Sequence, residues 1–211
     1  MFATDRDLLT LEPNLLRDVG WAGQRLVRGT GGAAGTTLAM TEQDVGFDAA
    51  GVGEGNLALV DGTAYEVIER TTSASLVISR LRAANSDPLL PASPASGVPV
   101  EVMTFRPQIA LVHAQTLRML GINPESGEEP GEASVMNPWA MRLLVSLGAL
   151  HLVYAAASAL APPGSPLRER ADMYRERFVA ERQRVAARID TDGDGRADAV
   201  RRLNVLLLER M

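Results

Sequence analysis

The chain has 211 residues, a formal net charge of −5 and no cysteine. Without cysteine there are no disulfides, no thiolate catalysis and no Cys-ligated zinc or iron–sulfur site, and the acidic balance argues against a nucleic-acid binder. All 21 basic residues are arginine and only 4% of the chain is aromatic, so a core must be assembled mainly from Leu, Val and Ala.

The start, Met1 to Asp7, is polar and acidic and lacks the basic opening and apolar run of a signal peptide. Thr4 is placed to cap a short helix over Asp5–Leu11, and Pro13 to start a second turn over Asn14–Asp18. From Ala22 the pattern changes to β-branched residues and glycines. The cluster Gly29, Gly31, Gly32 and Gly35 has no Lys-Ser/Thr ending and reads as a turn. Leu57–Val60 and Thr63–Glu69 read as strands joined at Asp61-Gly62, a dipeptide suited to the positive backbone angles of a tight hairpin. Tyr65 and Val67 share one face of the second strand and Glu66 lies on the other. Further strands are expected over Ser75–Leu81 and Val98–Phe105, with Asn85–Gly97 as a loop.

Pro107 opens a helix lined by Ile109, Val112, Thr116 and Leu120, and Gly121 stops it. Residues 121–134 form an acidic loop. Pro138 begins an apolar helix that Pro162-Pro163 ends. Its charge-free stretch, Leu143–Ala161, approaches the length of a membrane span. Its alanines, Ser146, Gly148 and His151 and the lack of flanking aromatic or basic belts favour a buried helix instead. Ser165-Pro166 starts a last helix running to about Arg188, with a narrow apolar seam of Ala171, Tyr174, Phe178 and Val185.

The expected fold class is α+β. A three-helix unit (1–21 and 106–189) carries a small antiparallel β domain (22–105), a sandwich or partial barrel, inserted near the N-terminus. Residues 190–211 form an Asp-rich turn and an extended C-terminal tail with no partner strand nearby in sequence.

His113 and His151 sit in apolar helical context without polar clusters around them, which reads as packing rather than catalysis, and no nucleophile elbow, phosphate loop or HExxH motif occurs. No enzymatic activity is therefore expected, and no cofactor is required. The one metal candidate is the loop Asp190, Asp192, Asp194, Asp198, which matches the early positions of a calcium loop. Arg201 stands where the bidentate glutamate belongs. The competing reading is a structural turn whose aspartates bond nearby amides.

Three segments together resemble the head–tail adaptor (connector, or neck) proteins of tailed bacteriophages and gene transfer agents. They are Phe2-Ala3-Thr4-Asp5-Arg6-Asp7-Leu8-Leu9, Phe105-Arg106-Pro107-Gln108-Ile109, and the ending in which a helix with Tyr174 and Phe178 leads through the Asp-rich turn to an Arg-bearing apolar tail. The resemblance implies a non-catalytic ring, usually of twelve copies, under the portal protein. Its partners would be the portal, the next neck or tail protein, and DNA passing through the channel without sequence-specific contact. Its place would be the virion neck, after assembly in the host cytoplasm, with no membrane association. Arg201, Arg202, Leu203, Val205, Leu206, Leu207, Leu208 and Arg210 would then dock on the portal or a neighbouring copy, by strand addition, while the seam of Ala171, Tyr174, Phe178 and Val185 packs subunits. The alternative is a calcium-binding structural module of a surface or secreted assembly.

Overall fold

The computed structural model describes residues 1–125, 130–162 and 164–203. The chain divides into two compact units, Thr4–Phe105 and, together, Met1–Ala3 with Arg106–Met211.

The first unit opens with α1 (Asp5–Leu11) and α2 (Leu15–Val19), followed by one 3-10 turn over Gly20–Ala22. Thr4 begins α1 as expected. The Asp7 carboxylate accepts the Thr4 backbone N–H at 2.9 Å and its hydroxyl at 3.0 Å, fixing the first turn. Six strands follow: β1 (Gln24–Ala34), β2 (Thr37–Gln43), β3 (Leu57–Val60), β4 (Thr63–Thr72), β5 (Ser75–Ser79) and β6 (Ala95–Thr104). They close into an antiparallel barrel in the order β1-β2-β5-β4-β3-β6, with β6 returning to β1. The interior is filled by Val27, Leu38, Phe47, Leu76, Ile78, Val100 and Val102, among others.

This corrects the expected fold class. The β region is a closed barrel central to the fold, not a small sandwich or partial barrel inserted in a three-helix unit. The N-terminal helices, read from sequence as part of the helical unit, fall within the barrel unit. The glycine cluster explains closure. Gly29, Gly31 and Gly32 lie inside β1 rather than in a turn, and the register shifts between Thr30 and Gly31. A Cβ at Gly29 would collide with the Glu42 carbonyl oxygen, and one at Gly32 would lie 2.6 Å from that of Ala95. The absent side chains let β1 coil tightly against both of its neighbours. The Asp61-Gly62 hairpin forms as read, with φ of 48° and 74° at the two residues.

The second unit contains α3 (Arg106–Met119), α4 (Pro138–Ala159) and α5 (Pro166–Arg184), then β7 (Ala186–Ile189) and β8 (Ala199–Arg202). By length and composition α4 could cross a membrane, but most of its positions are buried among protein. Gly148 is the close-approach point. A Cβ there would meet Val112 of α3 at 2.6 Å and Phe178 of α5 at 3.0 Å, so one small residue admits a helix on each side. Tyr154 of α4 stacks on Tyr174 of α5 at 5.5 Å, and the Arg170 guanidinium donates to the Tyr154 hydroxyl at 3.0 Å.

The last helix is shorter than its sequence pattern indicates. It stops at Arg184, and Val185 is extended. Residues 186–189 pair antiparallel with 199–202, so the segment read as helix end and partnerless tail is a hairpin around the Asp-rich loop. Ala187 and Ile189 are fully buried while Arg188 faces out, the alternation of a strand.

Replacing Gly29 with Ala should lower the stability of the barrel unit by about 1–3 kcal/mol, the usual cost of forcing a methyl group into filled space. Denaturant unfolding checks this. An unchanged midpoint would show that β1 does not need its glycines to close.

Candidate functional site

The Asp-rich loop is held from both ends by the β7–β8 hairpin. Asp190, which closes β7, is buried, and its two carboxylate oxygens accept the backbone N–H groups of Gly193 at 2.7 Å and Gly195 at 2.9 Å. Asp192 accepts the N–H of Asp194, and Asp194 that of Arg196. Gly193 and Gly195 have φ of 78° and 82°, which only glycine adopts without strain. The loop is thus a chain of aspartate-mediated turns. It also presents one carboxylate oxygen each from Asp190, Asp192 and Asp194 within 4.8 Å of one another, a set that could hold a metal ion. Each oxygen that accepts an amide keeps a second lone pair for a cation.

Asp198 and Arg201 do not join this set. The Asp198 carboxylate accepts the Thr191 backbone N–H at 2.8 Å and its hydroxyl at 2.9 Å. These bonds, the backbone one first, hold its pKa below the ordinary aspartate value. Arg201, at the position of the missing bidentate ligand, donates from Nη1 to the Leu120 carbonyl oxygen at the end of α3. Leu120 is the first residue past α3, and the guanidinium supplies both a donor and charge suited to a helix C-terminus.

The other expected site residues fall as follows. Ala171 and Tyr174 of the α5 seam are buried inside their own unit, Tyr174 against Tyr154 of α4. Phe178 is half-buried beside Gly148, and Val185 lies just past the helix end. The seam read as subunit-packing is therefore filled to a large extent by the same chain. Arg202 is exposed on β8 and Leu203 is buried, whereas Val205, Leu206, Leu207, Leu208 and Arg210 lie outside the described residues. So do Glu128 and Glu129 of the acidic loop.

Two buried polar clusters were not read from the sequence. In the barrel unit, Glu66 is 1% exposed and bridges two guanidiniums, accepting from Arg6 Nε at 2.5 Å and Arg82 Nε at 2.6 Å. Arg6 also donates to the Arg82 carbonyl oxygen at 2.6 Å, and Arg82 to those of Asn85 and Asp87. The charges are well paired and lie beside a depression of about 210 Å³ lined by Thr4, Glu54 and Gly55 as well. The alternating pattern placed Glu66 on the face away from Tyr65 and Val67. It could not show that α1 covers that face.

In the helical unit, Phe2 packs edge-on against His113 with ring centroids 4.6 Å apart, and its N–H points at His113 Nδ1 at 3.4 Å. His113 Nε2 lies 3.1 Å from Glu132, whose other oxygen is 2.6 Å from the Met1 amino group. Burial pushes the His113 pKa down, with the Glu132 charge only partly opposing it. For Glu132 burial is the largest single influence and acts upward, but the Met1 ammonium and His113 together bring its pKa below the ordinary value. His151 bonds the Ala171 carbonyl oxygen at 3.0 Å, a packing role. Comparison with protein-family models, curated proteins and solved structures gives no match.

A histidine whose folded pKa is depressed leaves the unfolded chain binding more protons once the pH drops below the unfolded value near 6.5. Stability of the helical unit should therefore be fully present above that pH and fall as the pH is lowered through it, with Glu132 adding to the loss at lower pH still. Thermal melts between about pH 7.5 and about pH 5.5 (roughly one unit either side of the unfolded histidine value) test this. His113→Gln should flatten the slope in that range, and an unchanged slope would remove His113 as its source.

Proposed function

We propose that the chain is a structural head–tail adaptor of a tailed-phage virion. Copies would form a ring of twelve under the portal, with an axial channel through which DNA passes without sequence-specific binding. The ring would sit in the virion neck, and its subunits would assemble in the host cytoplasm. It acts by binding its neighbours and catalyses no reaction.

The observation that carries this reading is the outward apolar surface of the helical unit. Trp139 is 72% exposed and Leu160 is 80% exposed, and Leu111 and Val200 are more than half exposed. Single exposed apolar residues are ordinary, but tryptophan on a surface is enriched where subunits meet. The hairpin supplies a second support. Among the described residues β8 pairs with β7 alone, so its outer edge is open to an added strand. The tail that would dock on the portal or a neighbouring copy, Leu203 to Arg210, continues directly from that edge strand. The resemblance of the start, the α3 opening and the Asp-rich ending to adaptor proteins points the same way.

The three clustered carboxylates favour a second reading, a calcium-binding structural module of a surface or secreted assembly.

Electron microscopy of the protein mixed with portal particles tests the first reading. A ring docked at one capsid vertex is expected, and deletion of residues 204–211 should weaken attachment at least about tenfold, equivalent to about 1.4 kcal/mol. No ring and no attachment by the full chain would overturn it. For the second reading, calcium at about a hundred times its dissociation constant should stabilise the fold by about 2.7 kcal/mol. Asp192→Asn with Asp194→Asn should abolish that shift in a calorimetric melt. An unshifted melt in the unaltered chain would dispose of the calcium reading.

A further inference from the structure

The depression in the barrel unit is walled by charged groups that the fold has already fixed in place. Arg6, Glu66 and Arg82 are all buried, and all three line it. Glu66 accepts the Nε–H of each guanidinium, Arg6 Nη2 donates to the Arg82 carbonyl oxygen, and Arg82 Nη1 to those of Asn85 and Asp87. Because both Nε atoms are bonded to the oxygens of one carboxylate, the two guanidiniums lie close together. Arg6 Nη1 and Arg82 Nη2 have no hydrogen-bond partner among the described residues, and neither is sealed from solvent. Asp7 lies 3.9 Å from Arg6 Nη1, beyond hydrogen-bond range, and does not line the depression.

Two guanidiniums against one carboxylate leave this buried cluster with an excess of positive charge. Glu66 cannot serve the two outer nitrogens, because Oε2 is taken by Arg6 and Oε1 by the side chain and the backbone N–H of Arg82. What they lack is an anionic acceptor, and the planar guanidinium matches a carboxylate best. The bonds that immobilise both arginines mean that little side-chain freedom is lost when a ligand arrives. The depression, about 210 Å³, has the room of roughly seven waters at about 30 Å³ each. That is less than the roughly 300 Å³ at which pockets for drug-sized ligands begin, so the occupant is a small acid or a single side chain. Ile68, half-buried, lines the same space and offers apolar surface to the carbon body of such a ligand. Glu54 also lines it and is exposed. Its like charge disfavours a dianion such as phosphate more than a single carboxylate.

We propose that this depression binds a single carboxylate, borne by a small free acid or by an acidic side chain, with Arg6 Nη1 and Arg82 Nη2 donating to it. Glu66 is the positioning residue: it touches no ligand and orients both guanidiniums. A bound carboxylate brings the buried cluster of two arginines and Glu66 to neutrality. The barrel unit thereby has a binding role of its own, which holds whether or not the chain is an adaptor.

The Nε–H signals of Arg6 and Arg82 in proton–nitrogen NMR spectra report on the site. The full chain is titrated at constant ionic strength with acetate, with a short end-blocked peptide carrying one glutamate, with inorganic phosphate and with chloride. Saturable shifts with acetate or the peptide are expected. A peptide that binds at least about tenfold tighter than acetate assigns the ligand to a side chain, and any smaller ratio assigns it to a free acid. Ile68→Trp, which fills the depression without altering a charged group, should abolish saturation. Arg82→Lys, which keeps a charge beside Glu66 but loses the second nitrogen, should weaken binding at least about tenfold. Glu54→Gln, at an exposed position where the fold is not at stake, should tighten binding by about two- to fivefold. The proposal is overturned by shifts that do not saturate in the unaltered chain, or by phosphate or chloride acting as well as acetate. It is overturned too by binding that survives both Ile68→Trp and Arg82→Lys, or by binding that Glu54→Gln weakens, since the anchor would then be the rim acid and the ligand a cation.

Discussion

The barrel unit depends on one carboxylate that joins its two ends. The chain comes into this unit at Thr4 and leaves it at Phe105. Asp5 accepts the Thr104 hydroxyl and the Phe105 backbone N–H, both at 2.7 Å, and the Asn56 side chain at 3.1 Å. One turn of helix therefore fixes where β6 ends and anchors the loop before β3. Its neighbour Arg6 reaches Glu66 on β4 and the Arg82 backbone after β5. A buried carboxylate between two guanidiniums contributes little to net stability compared with an apolar cluster of the same size, because desolvation offsets the attraction. Breaking it, however, strands a charge. The cluster thus acts through geometry: it ties α1 to β4 and to the segment after β5 through directed, charge-assisted bonds.

Much of the local structure was legible because its causes are local. Thr4 with Asp7, Asp61-Gly62, Gly121 and Pro138 act within three or four residues, and each sets a boundary where the sequence places it. Barrel closure was not legible, because β1 must meet β6 across more than sixty residues. Glycines in a row match a turn as well as they match a strand that two neighbours approach closely. The end of α5 failed for a related reason. Ala186, Ala187 and Arg188 are good helix formers, and only pairing with residues 199–202 across the Asp-rich loop makes them a strand. Glu66 shows the limit of periodicity, which assigns a residue to a face and is silent about what lies on that face.

The apolar helix α4 illustrates the difference between a buried helix and a fully used one. Gly148 brings α3 and α5 against its middle, and Tyr154 and Tyr174 stack further along. These contacts account for its central hydrophobicity. They do not account for Trp139 at its start or Leu160 just past its end, both left facing outward.

The Asp-rich loop combines two roles that the same geometry permits. As turn formers, its aspartates each accept a backbone amide. That arrangement also gathers three negative charges at close range, where they repel one another unless a cation or water screens them. Arg201, which stands where a calcium loop carries its bidentate glutamate, is committed to the Leu120 carbonyl just past α3. The loop is therefore better suited to joining β7 to β8 than to forming a complete calcium cage. It supplies three of the ligands such a cage uses, and its fourth aspartate, Asp198, is turned toward Thr191 to close the hairpin. A cation bound there would have to take its remaining ligands from groups other than these four carboxylates, such as water.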